Sequence, residues 1–141
     1  MTFARSIRRA EANDVPRMAE ILIESGLCQP IGLEDRVRCC LERSSDLCFV
    51  STEGGLVTGL VLAAFNGFHV FLSHLAVDPS RQHTGVGAAL HDHLVARGEE
   101  LKALGIVTDS WLISTGFYYQ LGYRLPGAVF LIRDVIPTSR T

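Results

Sequence analysis

The stretch of sequence that decides the fold runs from residue 75 to residue 90 and reads LAVDPSRQHTGVGAAL. An apolar run ends at Asp78-Pro79, a short polar loop follows, and Gly85 and Gly87 open the longest helical pattern in the chain. The first turn of a helix has backbone N–H groups without partners, and together with the helix dipole they favour a phosphate-bearing ligand. The order of strand, glycine loop and helix therefore predicts an anion site.

The glycine pair is weak evidence by itself, because 13 glycines in 141 residues give about one G-x-G by chance. The third glycine of a dinucleotide fingerprint is replaced by Leu90, which disfavours that site, and no G-x-x-x-x-G-K occurs, which excludes a Walker-type loop. The position of the pair between a strand and an amphipathic helix favours the phosphate site, and a plain connecting loop is the alternative.

The rest of the chain predicts a mixed sheet with helices on both faces. Apolar spacing, Asn66-Gly67 as a hairpin turn and Gly26 as a helix stop define the pattern. The predicted elements are a strand at 6–9, helices at 15–25 and 34–42, an antiparallel meander at 47–50, 56–65 and 68–77, a helix at 86–104, a strand at 106–109, a short helix at 114–121, and a closing hairpin of 123–125 and 129–135. We expect an α/β fold of about six or seven strands and about four helices, in one domain over residues 1–141.

Composition excludes several classes of protein. Hydrophobic residues are 48% and charged residues 20% of the chain, and the net charge of −2 predicts no binding to nucleic acid or to an anionic membrane. The apolar run 56–65 is about half the ~20 residues of a membrane span, and residues 1–11 do not resemble a secretory signal. We therefore expect a cytoplasmic protein.

Neither a metal site nor a disulfide framework is indicated. The four cysteines have no C-x-x-C spacing and are expected to be reduced, mostly buried thiols; they are Cys28, Cys39, Cys40 and Cys48. His91 and His93 are about 200° apart around a helix and cannot share a metal. The basic group of Arg5, Arg8 and Arg9 is interpreted as a solvated end rather than a nucleic-acid site.

The sequence resembles the GNAT superfamily of acyl-CoA-dependent N-acetyltransferases. The resemblance depends on three motifs in order: LAVDP at 75–79, Q-x-x-G-x-G-x-x-L at 82–90, and FYYQLGY at 117–123, which is similar to the family's F-Y-x-x-L-G-F signature. It covers about residues 47–125 and implies a GNAT-like fold. I-R-x-A at 7–10, followed by Asp14, is compatible with the family's first strand and helix.

The resemblance implies acetyl-CoA as co-substrate, with its pyrophosphate on the glycine-loop amides and its pantetheine arm along the fourth strand, where that strand splays from the fifth. A β-strand edge offers main-chain hydrogen bonds to the pantetheine amides. The implied binding residues are Leu75, Ala76 and Val77 of the strand and Gln82, His83, Thr84, Gly85, Val86, Gly87 and Ala88 of the loop. Gln82 stands where many members have arginine, which removes a phosphate contact.

Two residues are the candidates for proton transfer. By resemblance, Tyr118 lies near the thioester sulfur, where a phenol could protonate the departing thiolate; a core aromatic cluster is the alternative. The predicted fourth strand has no carboxylate, and His74 is its candidate general base, with a structural histidine as the alternative. Strand alternation directs His74 opposite to Ser73 and Leu75 unless a bulge shifts the phase.

Other sources of base catalysis stay open: Asp109, Ser110, a water relay, or no dedicated base. The resulting prediction is a transferase that moves the acetyl group of acetyl-CoA to a primary amine of a small molecule or peptide, by direct attack in a ternary complex. The alternatives are a non-catalytic acyl-CoA-binding module and a protein-interaction domain that does not bind CoA.

The resemblance places the acceptor pocket between the first two helices, at residues 26–35, and at the last hairpin. Glu34 and Asp35 suggest attraction of a cation there. A homodimer is expected because dimers are common in the family, although no apolar stripe specifies an interface.

Overall fold

A five-stranded mixed sheet organises the first part of the chain. The computed structural model describes residues 4–110 and 114–136 and divides into two compact units, Met1–Thr108 and Asp109–Thr141. The strands are β1 (Arg5–Arg9), β2 (Phe49–Glu53), β3 (Leu56–Phe65), β4 (His69–Val77) and β5 (Gly105–Thr108). The helices are α1 (Val15–Glu24), α2 (Leu33–Arg43), α3 (Val86–Glu100) and α4 (Thr115–Gln120). The strands lie side by side in chain order, with antiparallel pairing up to β4 and a parallel pairing of β4 with β5.

The two faces of the sheet bury separate cores, as the alternation of side chains along β3 requires. Leu60 and Leu62 pack with the buried residues of α1 and α2. Val61 and Ala63 pack with Leu90 and the rest of the apolar face of α3. Helices therefore cover both faces, and the predicted α/β architecture is confirmed.

Arg5 and Arg8 of the basic group in β1 are partly exposed and also have specific partners within the fold. Arg8 donates from both terminal nitrogens to Asp14, at 2.8 and 2.9 Å. This bidentate pair and the Glu11 N–H hold the pKa of the buried Asp14 below its usual value, since all three bonds favour the carboxylate. The pair links β1 to the start of α1.

The predicted helices and central strands form within a few residues of their expected bounds, but α3 ends at Glu100 rather than at the predicted residue 104. Leu104 lies beyond the helix and is 75% exposed. The helix ends in a Schellman motif, in which Ala103 N donates to Gly98 O and Lys102 N to Glu99 O. Lys102 takes the left-handed conformation, with φ of +57°, that glycine usually takes at this position.

The predicted closing hairpin is wrong in the second unit. Residues 121–136 contain turns and irregular chain but no strand, and so the described residues form five strands rather than six or seven. The apolar run 129–135 has strand-like composition, yet a strand also needs a hydrogen-bonded neighbour. Pro126 lacks an N–H and Gly127 has φ of +76°, and the apolar side chains that follow are largely exposed.

We expect Gly59→Ala to destabilise the protein by about 1–3 kcal/mol, the usual range for overpacking a core. A Cβ at Gly59 would lie 2.8 Å from Val86 Cγ1 and 3.1 Å from both Leu90 Cδ1 and Ala76 O. Urea unfolding measures the change. Gly98→Ala in α3 is the control: its Cβ would meet only Val70 Cγ2 at 3.8 Å, so helix propensity should make it stabilising. Equal stability of the Gly59→Ala variant and the parent would show that this contact is not tight.

We expect Lys102→Gly to raise the free energy of unfolding by about 0.5–1 kcal/mol, because the left-handed conformation strains a residue with a Cβ. Lys102→Ala keeps the Cβ and should bring no such gain. Thermal unfolding of both variants measures the difference. A Lys102→Gly protein that melts at or below the parent temperature would contradict the strain.

Candidate functional site

A tight turn connects β4 to the glycine loop. Asp78 follows the last residue of β4, and its side chain accepts hydrogen bonds from the Ser80 N–H at 2.9 Å and from Arg17 Nη2 at 2.6 Å. These bonds, with the Ser80 N–H bond as the largest cause, lower the pKa of Asp78 below its usual value. The side chain fixes the 3₁₀ turn Pro79–Arg81, which leads the chain back to the start of α3.

The start of α3 presents the backbone amides that the sequence predicts. Gly85 is the N-cap in the left-handed conformation, with φ of +87°, and the first helical bond runs from Ala89 N to Gly85 O at 3.0 Å. The amides of residues 85–88 therefore have no acceptor within the helix. Gly85, the N-cap, has no side chain with which to cap them. The loop residues Gln82, His83 and Thr84 are exposed beside this end of the helix.

Among the described residues of the first unit, the second half of β4 has no strand partner on the side of β5. The parallel register pairs His69 with Gly105 through to Leu72 with Thr108, and no later β4 residue pairs with β5 in the described chain. Thr108 Oγ1 donates to Leu72 O at 3.0 Å where the pairing ends. In the described chain Leu75, Ala76 and Val77 pair with β3 as their one strand neighbour, and they lead directly into the turn before the glycine loop. Residues 78–84 connect this edge to the uncapped amides.

A β-bulge at Ser73 lies at the start of the open half. In the β3–β4 register Leu62 pairs with His74 and Ala63 with Leu72, so Ser73 is the extra residue. His74 therefore shares a face with Leu62, on the side of α1 and α2, and Leu75 packs on the α3 side. Without the bulge, His74 would share the face of Leu72 and point towards α3. His74 thus faces opposite to Leu75 as alternation predicts, and the bulge that the prediction named as its exception occurs at Ser73.

The bulge also fixes the tautomer of His74. Ser73 Oγ donates its one proton to Leu62 O at 3.1 Å and lies 2.9 Å from His74 Nδ1. Because that proton is already used, Ser73 can only accept from His74, which places the neutral ring's proton on Nδ1. The ring's lone pair is then on Nε2, the nitrogen that a general base would use.

The acidic residues at the start of α2 have a structural role. Glu34 and Asp35 lie in the first helical turn, where the helix dipole favours negative charge. Arg38 forms ion pairs with both, at 3.6 Å to Glu34 and 3.3 Å to Asp35. All three side chains are largely exposed, so the pairs contribute little to stability. The contacts of these carboxylates are those of an ordinary helix start.

Tyr118 belongs to the second unit, on α4. Its ring makes edge contacts with Phe117 and Tyr123, with centroids 5.2 and 5.4 Å apart. Burial, with a smaller contribution from Tyr118, raises the pKa of Tyr123 well above its usual value. Asp109 and Ser110 also fall in this unit. Tyr118 therefore lies between two aromatic neighbours, whereas Tyr119, which the alternative core cluster also included, is 48% exposed.

Sequence reasoning missed Arg5 and Glu53 as neighbours of the glycine loop. Arg5 Nη2 donates to Thr84 O at 2.7 Å across 79 residues of sequence, and Glu53 lies between Arg5 and Arg81. No motif marks these residues. The only available signal was the pairing of β1 with β2, which brings Arg5 opposite Glu53.

The described residues contain no cluster of three or more metal-ligating side chains. Over the same parts of the chain, no helix combines the length and the apolar character of a membrane span.

Comparison with known proteins identifies the class. The Acetyltransferase (GNAT) family model matches residues 15–123, so this chain belongs to the GNAT acetyltransferase family and the resemblance is confirmed. The fold is similar to that of Ard1 from Thermoplasma volcanium, with a TM-score of 0.80, 20% identity, and coverage of 88% of this chain and 85% of that one.

Two further solved structures share the fold. The aminoglycoside N-acetyltransferase AAC(6')-Iy in complex with CoA has a TM-score of 0.76 at 18% identity, with 95% of this chain and 97% of that chain covered. A protein named as a predicted acetyltransferase, with acetyl-CoA, from Clostridium acetobutylicum has a TM-score of 0.75 at 15% identity, with 92% of this chain and 96% of that chain covered. No curated protein sequence matches.

We expect Gly85→Ala to weaken the binding of CoA at least tenfold, because a Cβ in the left-handed conformation strains the loop and lies beside the open amides. Isothermal titration calorimetry measures the affinity. Gly67→Ala is the matched control: Gly67 has φ of +97° and open space around it, in the β3–β4 turn. If both variants bind CoA as the parent does, the start of α3 is not the diphosphate site.

Proposed function

We propose that this protein transfers the acetyl group of acetyl-CoA to a primary amine of a small molecule or peptide, by direct attack in a ternary complex. One observation carries the proposal: the open half of β4 leads, through a single turn, to the uncapped amides of α3. An extended chain with a diphosphate at one end fits this arrangement, because the edge can bond amides and the helix start can bond an anion.

The residues present fit acetyl-CoA at both ends of this arrangement. Leu75, Ala76 and Val77 would bond the pantetheine arm through their backbone. The loop from Gln82 to Ala88 would hold the diphosphate, with Gly85 allowing the anion to approach the backbone. Acetyl-CoA supplies the thioester, whose cleavage drives the transfer. The family match spans residues 15–123 and so runs across both units, which supports one functional domain over residues 1–141.

We assign the proton acceptor to His74. The neutral amine forms the new C–N bond at the thioester carbonyl carbon as the C–S bond breaks, so the amine nitrogen loses one proton and the sulfur gains one. His74 would accept the amine's proton at Nε2, directly or through a water, because Ser73 keeps the other ring nitrogen protonated. The bulge places the ring on the side of α1 and α2.

We assign the proton donor to Tyr118. Its phenol would protonate the departing thiolate, which completes the proton balance of the transfer. The support for this assignment is the position of Tyr118 in the FYYQLGY motif and the ring contacts of Tyr118 with Phe117 and Tyr123. A cytoplasmic location and a homodimer stay predictions.

A turnover assay tests the proposed function. Release of free CoA thiol from acetyl-CoA is followed with a panel of primary amines, and calorimetry measures acetyl-CoA binding alongside it. Amine-dependent release is the expected result. Binding without release from any amine would identify a non-catalytic acyl-CoA-binding module, a class favoured by the absence of a carboxylate on β4. No binding at all would exclude both.

We expect His74→Gln to lower kcat about 10²–10⁴-fold, the usual contribution of a general base. Ser73→Ala should lower kcat less and change its dependence on pH, because it removes the acceptor that fixes the tautomer. His69→Gln, an exposed histidine on the same strand, is the control and should leave kcat unchanged. An unchanged kcat and pH profile in His74→Gln would show that His74 is structural and that another group accepts the proton, while the acetyl transfer itself would stand.

A further inference from the structure

The glycine loop has little positive charge of its own. Residues 82–88 read QHTGVGA and contain neither lysine nor arginine. The start of a helix contributes the equivalent of about half a positive charge, whereas a diphosphate at neutral pH carries about two negative charges. A cation from elsewhere in the chain would bring the positive charge of the site closer to the negative charge of the diphosphate.

Arg5 lies at the required place. It is the first residue of β1, and its Nη2 donates to Thr84 O at 2.7 Å. Its Nη1 is 3.5 Å from the position that a Cβ on Gly85 would take. The guanidinium group is therefore packed against the peptide between Thr84 and Gly85, where the uncapped amides begin.

A carboxylate shared by two arginines holds Arg5 in position. Glu53 pairs with Arg5 across the β1–β2 ladder, with its Oε1 3.9 Å from Arg5 Nε and its Oε2 3.2 Å from Arg81 Nε. Thr84 Oγ1 in turn donates to Arg81 O, so Thr84 is hydrogen-bonded to both Arg5 and Arg81. Two guanidinium groups and one carboxylate leave a net charge of about +1 beside the loop. Because the side chains are partly exposed, each ion pair contributes little to stability, and the main effect of the pairs is to hold Arg5 in position.

We propose that Arg5 is a phosphate-binding residue, which supplies the diphosphate of coenzyme A with the cation that the loop lacks. The inference rests on the proposed function, because it needs CoA at this loop. The contacts with Thr84 and Glu53 use Nη2 and Nε, and Nη1 is the nitrogen closest to Gly85. Arginine suits this role because its planar fork can bond two phosphate oxygens. Arg5 precedes the family match, which begins at residue 15.

Calorimetry with three ligands tests the inference. The variants are Arg5→Gln and Arg5→Lys, with Arg9→Gln as a control that removes an equal charge from the same strand. The ligands are CoA, dephospho-CoA, which keeps the diphosphate, and pantetheine, which has no phosphate. We expect Arg5→Gln to bind CoA and dephospho-CoA at least tenfold more weakly and pantetheine as the parent does, as for the loss of one charge-assisted hydrogen bond.

Two further variants and the salt dependence of binding distinguish a residue that binds phosphate from one that only positions the loop. Arg5→Lys should recover part of the affinity, and Arg9→Gln should match the parent. The affinity of Arg5→Gln for CoA should fall less steeply with added salt than that of the parent, because one ion contact is missing.

Several results would overturn the inference. If Arg5→Gln and the parent bind CoA with equal affinity, Arg5 does not bind the phosphate. A loss for CoA but not for dephospho-CoA would move the contact to the 3′-phosphate. An equal loss for all three ligands, with an unchanged salt dependence, would make Arg5 a positioning residue. If the parent itself binds neither CoA nor dephospho-CoA, the proposed function fails, and that result differs from failure of the variant alone.

Discussion

The contact between Gly59 and α3 is the constraint on which the candidate site depends. Because Gly59 has no side chain, Val86 and Leu90 lie directly on the β3 backbone beside Ala76. This contact fixes the start of α3 next to the end of β4, so the uncapped amides and the open strand edge share one place. Both residues are fully buried in the α3-side core, so apolar burial that stabilises the fold also sets the position of the polar site.

The second constraint is that the two halves of β4 have different structural roles. Its first four residues pair with β5 and build the sheet, and the bulge at Ser73 follows at once. A bulge reverses the facing of every later residue, which allows Val70 and Leu72 to fill the α3-side core before it and Leu75 and Val77 to do so after it. His74 turns to the other face as a direct result. The irregularity therefore lies where the parallel ladder ends, and it sets the direction of the proposed base.

The sequence predicted the parts of the protein whose signals are local. The strand, loop and helix around Gly85 and the β3 strand form as their residue patterns indicate, since periodicity and glycine conformation are properties of neighbouring residues. The end of α3 was predicted four residues late because Lys102 adopts a conformation that its side chain disfavours. The final hairpin was predicted wrongly because apolar composition indicates a preference for strand but not a partner for it. The bulge at Ser73 was considered only as an exception, because a register shift depends on the neighbouring strand.

The proposed role of Arg5 depends on a contact between residues that are far apart in the sequence. An anion site in a protein with a net charge of −2 must be made locally, from backbone dipoles and a few fixed cations. In the proposed site, the loop supplies the dipoles, and the cation is Arg5, 79 residues away in the sequence from Thr84, whose position is set by the register of β1 with β2. Glu53 limits the repulsion between Arg5 and Arg81 while no anion is bound, and an incoming diphosphate would add a second negative partner. Sheet pairing, rather than a motif, thus determines the charge of the site.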